Sequence, residues 1–205
     1  LNRFNTLVSK CIPKAKKILK KYLDDNRFEH TLGVMYTAAC LAMKYGEDIE
    51  KAQVAGLLHD CAKCIPNDKK LKICSKNQIA VSEIEYSAPF LLHAKVGVYV
   101  AREKYKVEDP EILSAIRWHT TGKPDMSILD KIIYLADYIE PGRNKAPNLN
   151  TVRALAFRDL DECMYQVLKD TLAYLGNNPK TLDSATKDAF DFYEKLHKER
   201  RYENR

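Results

Sequence analysis

"DIEKAQVAGLLHDCAK", residues 48–63, opens with Asp48 as a candidate N-cap and turns almost wholly apolar before it reaches His59 and Asp60. A helix apolar on every side is a buried helix, so its end lies deep in the protein. That end delivers an imidazole and a carboxylate into the interior. A buried carboxylate is costly unless a cation or several donors meet it. Whatever meets Asp60 must come from elsewhere in the chain.

The flanking sequence is helical almost throughout. "IPKAKKILKKYL" carries Ile12, Ala15, Ile18, Leu19, Tyr22 and Leu23 on one stripe, with lysines opposite. "RFEHTLGVMYTAACLAMKYG" follows, with Gly46 as C-cap, and "PNDKKLKICSKN" reads as a short polar helix or loop inserted at the surface. "SAPFLLHAKVGVYVAREKYK" reads as a long helix starting near Pro89, and Asp109–Pro110 starts another. "SILDKIIYLADYIE" stops at Pro141–Gly142. "TVRALAFRDLDECMYQVLKDTLAYLG" and "SATKDAFDFYEKLHKERRY" complete the set. No strand-like alternation of any length occurs. The expectation is an all-α bundle of about nine helices with no significant sheet. A single domain spans residues 1–205, with a core over about 20–150 and helices from 151–205 packed on it, completing the site.

The net charge of +6 is concentrated in "PKAKKILKKYL" and "KERRYENR", which read as solvated helix faces and tails. No specific nucleic-acid partner is expected from them, because clustered arginines interleaved with aromatics are missing. The 6 cysteines include one lone C-x-x-C pair, Cys61 and Cys64, too few for a four-cysteine zinc site. Reduced thiols point to a cytoplasmic protein. No run approaches the roughly 18 to 20 apolar residues of a membrane span, nor the core of a signal peptide.

Several polar residues share the apolar stripes. His30 lies in line with Gly33, Val34, Thr37 and Leu41; His93 with Pro89, Val96, Gly97 and Val100; His119 with Ile112, Ala115 and Ile116; Asp137 with Leu129, Ile133 and Tyr134. One inward histidine is more often a satisfied core residue than a ligand. Here four of the 5 histidines turn inward together with two aspartates; only His197, in the charged tail helix, has no such face. Unpaired, each would cost roughly 1–3 kcal/mol. The common solution is that they meet around a cation. Imidazole and carboxylate without thiolate favour iron, manganese or zinc. His30, His59, Asp60 and Asp137 bring such donors from three helices, and His93 and His119 would complete a second metal position or hold and protonate a phosphate. Lys63, one turn beyond His59, is within reach of a phosphate beside the ion. Arg143, after the Pro-Gly turn, has a guanidinium that could fork one. Each is also the kind of residue that is often simply solvated.

"RFEHTLGV", "AGLLHDCAK", "HAKVG", "IRWHTTG", "KIIYLADYIEPGR" and "NPKTLDSAT" together resemble the HD-domain metal-dependent phosphohydrolases, and within them the YqeK family of symmetrical bis(5′-nucleosyl)-tetraphosphatases, from about residue 20 to residue 190. The resemblance implies an HD-type helical domain and hydrolysis of diadenosine tetraphosphate to two ADP. It implies iron held by His30, His59, Asp60 and Asp137, with manganese or a second metal as alternatives. Asp60, Lys63, His93 and His119 would be catalytic. The nucleotide would meet His30, Lys63, His93, His119, Thr120, Asp137, Arg143 and the stretch Lys180, Thr181, Leu182, Asp183, Ser184 and Ala185. From the residues alone that stretch is as readily a plain helix cap as an anion site. Cys61 and Cys64 around Lys63 depart from the family pattern and would make the site sensitive to oxidation. The partner is a nucleotide, not a membrane, and a homodimer is among the options. Two other readings stay open: hydrolysis of another nucleotide, such as a dNTP or a guanosine alarmone, and a non-catalytic regulator that binds metal or nucleotide.

Overall fold

The computed structural model describes residues 4–146, 148–176 and 183–203, which form eleven α-helices and one 3-10 helix without a strand. In chain order these are α1 (Phe4–Leu19), α2 (Asp25–Tyr45), α3 (Ile49–Leu58), α4 (Asn67–Lys76) and α5 (Glu83–Ser87), then the 3-10 helix (Pro89–Leu92). After it come α6 (His93–Tyr105), α7 (Pro110–Trp118), α8 (Ile128–Ile139), α9 (Leu149–Ala156), α10 (Leu160–Leu175) and α11 (Ser184–Glu203).

Local chemistry sets most of the boundaries. The Asp48 carboxylate accepts the amides of Glu50 and Lys51, starting α3; Asp109 does the same for Glu111 and Ile112, with Pro110 in the first turn of α7. Gly46 ends α2 in the left-handed region at φ 69°. A capping box of Ser127 and Asp130 starts α8.

α2 and α3 form the centre. A Cβ at Gly56 would lie 2.9 Å from the Met35 Cα, so glycine is what allows the two backbones to approach. The consequence is functional: the end of α3, with His59 and Asp60, sits under the N-terminal half of α2. α8 packs on α2, α3 and α7, and α10 packs on α8 and carries α11. The core between them includes Val34, Leu57, Leu58, Ile116, Ile132, Ile133 and Leu135.

The fold departs from the pattern in three places. The segment read as one helix from near Pro89 first makes a 3-10 turn, and α6 starts only at His93, with the separate capped helix α5 ahead of it. The long helix expected after residue 150 is two. Its stripe runs on unbroken, but the Asp159 carboxylate accepts the amides of Asp161 and Glu162 and so restarts the chain as α10. Finally, α4 is more than a surface insertion: Cys74 packs with Ala62, Leu92 and Val96 into a small second core.

Candidate metal centre and cleft

His59, His93 and His119 occupy equivalent positions, each the C-cap of its element: α3, the 3-10 helix and α7. The last carbonyls of a helix lack their usual amide partners and are open to a side chain, although Phe90 O also accepts the His93 amide. Each ring uses the carbonyl three residues back: His59 Nδ1 to Gly56 O at 2.7 Å, His93 Nδ1 to Phe90 O at 2.7 Å, His119 Nδ1 to Ile116 O at 2.8 Å. A carbonyl can only accept, so Nδ1 carries the proton in all three, and in the neutral ring Nε2 presents a lone pair inward. The rings meet edge-on, His59 and His119 with centroids 5.0 Å apart and His93 and His119 5.1 Å apart.

His30 lies in the first half of α2 and is held differently. Its Nδ1 is 3.0 Å from Glu140 Oε1 and its Nε2 is 3.0 Å from Asp137 Oδ1. Arg143 fixes Asp137 twice, Nε donating to its backbone carbonyl at 2.8 Å and Nη2 to Oδ1 at 2.5 Å. Asp60 is almost fully buried; Arg27 Nη1 donates to its Oδ2 at 2.8 Å, while Oδ1 lies 3.3 Å from His93 Nε2 and 3.5 Å from His119 Nε2.

The electrostatics call for positive charge at this point. Burial opposes ionisation of Asp60, but His59 and His119, when they carry a proton on Nε2, and the Lys63 ammonium outweigh it and hold its carboxyl well below the usual carboxylate range; a cation on the same Nε2 atoms would supply that positive charge instead. Burial likewise opposes ionisation of Asp137, and His30, His59 and Arg143 bring it down. Burial and the Lys63 ammonium push His93 down to about 3, so it is neutral at pH 7 and accepts from Lys63 Nζ at 3.1 Å. Of the four buried side-chain atoms among the described residues without a hydrogen-bond partner, two belong to this centre, His59 Nε2 and Asp60 Oδ1. His93 and His119 also point their Nε2 atoms at each other across 3.1 Å. Lone pairs facing inward, ionised carboxylates and two orphaned atoms are satisfied together by a cation. The donor atoms of His30, His59 and Asp60 lie within 4.8 Å of one another, as do those of His59, His119 and Asp137 and those of Asp60, His93 and His119. The residues fit a divalent metal with nitrogen and oxygen ligands.

This centre floors a cleft of about 1270 Å³ whose walls include His30, Lys63, His119, Thr120, Asp137 and Arg143. Thr120 Oγ1 is 3.0 Å from the Nε2 atoms of both His93 and His119. The cleft continues past Lys145 to Asp170 and Tyr174 of α10 and to Asp183. Asp183 also caps α11, its Oδ1 accepting the Ala185 amide at 2.9 Å. Ser184 is exposed at the start of α11, and Ala185 is half-buried beside it. Lys180, Thr181 and Leu182 lie outside the described residues. Arg143 reaches the cleft, but its guanidinium is already engaged with Asp137.

Three contributors escaped the reading of the sequence. Arg27 precedes His30 by one turn and so shares its face, a signal that was available. Glu140 stands beside the Pro-Gly turn and was read as part of a stop. Arg153 of α9 donates to the carbonyls of Ile139, Glu140 and Arg143, and backbone partners leave no trace in a sequence. The two cysteines of the C-x-x-C pair have different settings. Cys61 is buried, its thiol donates to Gly97 O at 3.5 Å, and burial pushes it up to about 12; Cys64 is exposed beside Asp24.

An HD domain matches residues 27–142, which contain His30, His59, Asp60, His93, His119 and Asp137. The chain belongs to the HD-domain family. HD-domain relatives named "Bis(5′-nucleosyl)-tetraphosphatase, symmetrical" include one from Halalkalibacterium halodurans, 41% identical over 162 residues, covering 79% of this chain and 86% of that protein. Another, from Staphylococcus aureus, is 34% identical over 184 residues, 89% of this chain and 94% of that protein. A crystal structure from Clostridium acetobutylicum, described as a predicted HD superfamily hydrolase involved in NAD metabolism, superposes with a TM-score of 0.86 at 37% identity. It matches 90% of this chain and 97% of its own. Membership of the HD-domain family implies a divalent metal, in agreement with the donor set. Among the described residues no helix is long and apolar enough to cross a membrane.

Proposed function

We propose that this protein hydrolyses bis(5′-nucleosyl) tetraphosphates symmetrically, converting diadenosine tetraphosphate and water into two ADP, with iron as its native metal and manganese able to replace it. The observation that carries this reading is a buried nitrogen–oxygen centre with orphaned His59 Nε2 and Asp60 Oδ1, whose His30, His119 and Asp137 line a cleft of about 1270 Å³. The cleft exceeds the roughly 300–1,000 Å³ of ordinary small-molecule pockets, as an extended dinucleotide requires. The relatives' names supply the substrate class.

His30, His59, Asp60 and Asp137 would hold the ion. Bound there, it supplies a nucleophile at neutral pH by lowering the pKa of water and offsets charge on the reacting phosphate. The chain's own residues do the rest. Lys63, with its side chain 34% exposed at the cleft wall, has an ammonium free to trade His93 for a phosphate oxygen. Arg143 and Thr120 face the same space and orient the polyphosphate chain.

The water oxygen bonds to the second phosphorus from one adenosine, the bond between that same phosphorus and the oxygen bridging it to the third phosphorus breaks, and the protons of the water pass to solvent. The bridging oxygen and its electron pair leave with the second ADP. ADP is a stable anion, so protonation of the leaving group is a modest requirement. His93, held neutral, is a poor proton donor; His119 beside it is the candidate acid when its Nε2 also carries a proton. We also infer that residues 1–205 act as one HD-type domain, supported by Asp170, Tyr174, Asp183 and Thr186 from α10 and α11 lining the cleft. Five free thiols among the described residues and a nucleotide substrate support a cytoplasmic setting.

The test is product identification by ion-exchange chromatography after incubation with diadenosine tetraphosphate and Fe2+ or Mn2+. ADP as the sole product is expected. AMP together with ATP, or unchanged substrate, would overturn the assignment.

A further inference from the structure

We propose that Glu140 is the positioning residue for His30: it holds the ring proton on Nδ1 so that Nε2 stays free as a ligand. The proposal rests on the metal-dependent reading above and explains how one of its four ligands is prepared.

His30 cannot be held as the other three histidines are. It stands inside α2, where the carbonyls three and four residues back lie within the helix ladder rather than at a free end. Its ring nitrogens instead face two carboxylates, Glu140 at Nδ1 and Asp137 at Nε2, each at 3.0 Å. In the neutral ring, the form that can bind a metal, these two compete for one proton. A proton on Nε2 would bond to Asp137 and close the coordinating position, whereas a proton on Nδ1 leaves it open.

The surroundings of Glu140 decide the competition. Its carboxylate is buried, 4% exposed, and Oε2 accepts the Gly142 amide at 2.5 Å while Oε1 takes His30. Arg153 Nη2 donates to its backbone carbonyl at 2.9 Å. Two glycines shape the space. A Cβ at Gly33, one turn beyond His30 on α2, would fall 2.6 Å from Oε2, and one at Gly142 would fall 3.0 Å from it. The side chain is thus seated from both flanks, with an acceptor aimed at Nδ1. A carboxylate on the far nitrogen also makes an imidazole a stronger donor to a metal.

The test compares wild type, Glu140→Gln and Gly33→Ala. Metal-free protein is titrated with Mn2+ alone against a chromophoric chelator, and the His30 tautomer is read in the metal-free protein at mildly alkaline pH from ring 15N resonances. Glutamine keeps the volume but offers one carbonyl oxygen to two N–H donors. We expect Mn2+ affinity about 10- to 100-fold weaker in Glu140→Gln. His30 moves towards the Nε2-protonated form, while His59, His93 and His119 keep the proton on Nδ1. Gly33→Ala leaves all ionisable groups in place, displaces the carboxylate, and weakens Mn2+ binding in the same direction; it decides the matter if Glu140→Gln fails to fold. Mn2+ affinity within about twofold of wild type with an unchanged His30 tautomer would overturn the proposal. If wild type binds no Mn2+, the metal-dependent reading falls, and the tautomer comparison alone then judges Glu140.

Discussion

The two sides of the centre solve the same problem by different means. On one side, His59, His93 and His119 cap their elements and anchor to carbonyls three residues away. On the other, His30 depends on a glutamate 110 residues distant and Asp137 on Arg143 beyond the turn that ends α8. The first side needs only helix ends brought together. The second needs the turn over residues 139–143 to be correctly placed, and Arg153 of α9 places it by three backbone hydrogen bonds. The near side should therefore be robust and the far side adjustable.

Asp60 belongs to both sides, contacting Arg27 of α2 as well as His93 and His119. Asp60→Ala should have the largest effect, lowering ADP formation by about a thousandfold or more because the activated nucleophile is lost with the ion. Metal analysis of the purified variant should show the ion depleted; full activity with full metal would remove Asp60 from the site.

Arg153→Met separates the two sides. It should lower stability by about 1–3 kcal/mol in denaturant unfolding, since three carbonyls lose a charged donor. Ring 15N signals of His30 should move while those of His59, His93 and His119 hold. Equal disturbance of all four would erase the distinction between the sides.

Lys63→Met probes the near side alone. Losing the ammonium that now donates to His93 should reduce kcat/KM by about tenfold through weaker phosphate stabilisation, with metal content unchanged. Loss of metal instead would make Lys63 part of the ion's support.

The smallest effect concerns the scaffold of the near side, where Lys51 of α3 pairs with Asp109 and Glu111 at the start of α7. Burial opposes ionisation of Asp109, but Lys51 and the capped amides hold its pKa below the ordinary value. A depressed carboxylate contributes stability above its unfolded pKa, about 3.9, and loses it as pH falls through the lower folded value. The pair is partly exposed, so the loss should be at most about 1 kcal/mol. Asp109→Asn should flatten that part of the acid unfolding profile, and an unchanged profile would show that the pair contributes nothing.

The near side was legible because helical periodicity puts His93 and His119 on buried faces and His59 ends a helix that is apolar all round. The far side was legible only in its ligands. His30 and Asp137 show on their stripes, but Glu140 is hidden in a stop signal and Arg153 acts through carbonyls that every residue has. Where the fold was misread the cause was similar. The apolar stripe Val152, Ala156, Leu160, Cys163 is continuous, and only the capping geometry of Asp159 separates α9 from α10. Arg143 was matched to a phosphate by its chemistry, and its bond to Asp137 could be known only once the turn was folded.

Anomalous diffraction at the iron edge, from crystals of the iron-loaded protein, tests the central claim most directly. A single strong peak within about 2.0–2.3 Å of His59 Nε2 and an Asp60 oxygen, also reached by His30 and Asp137, is the result expected from the donor set. An active, iron-loaded protein with its peak elsewhere, and His59 Nε2 still without a partner, would contradict it.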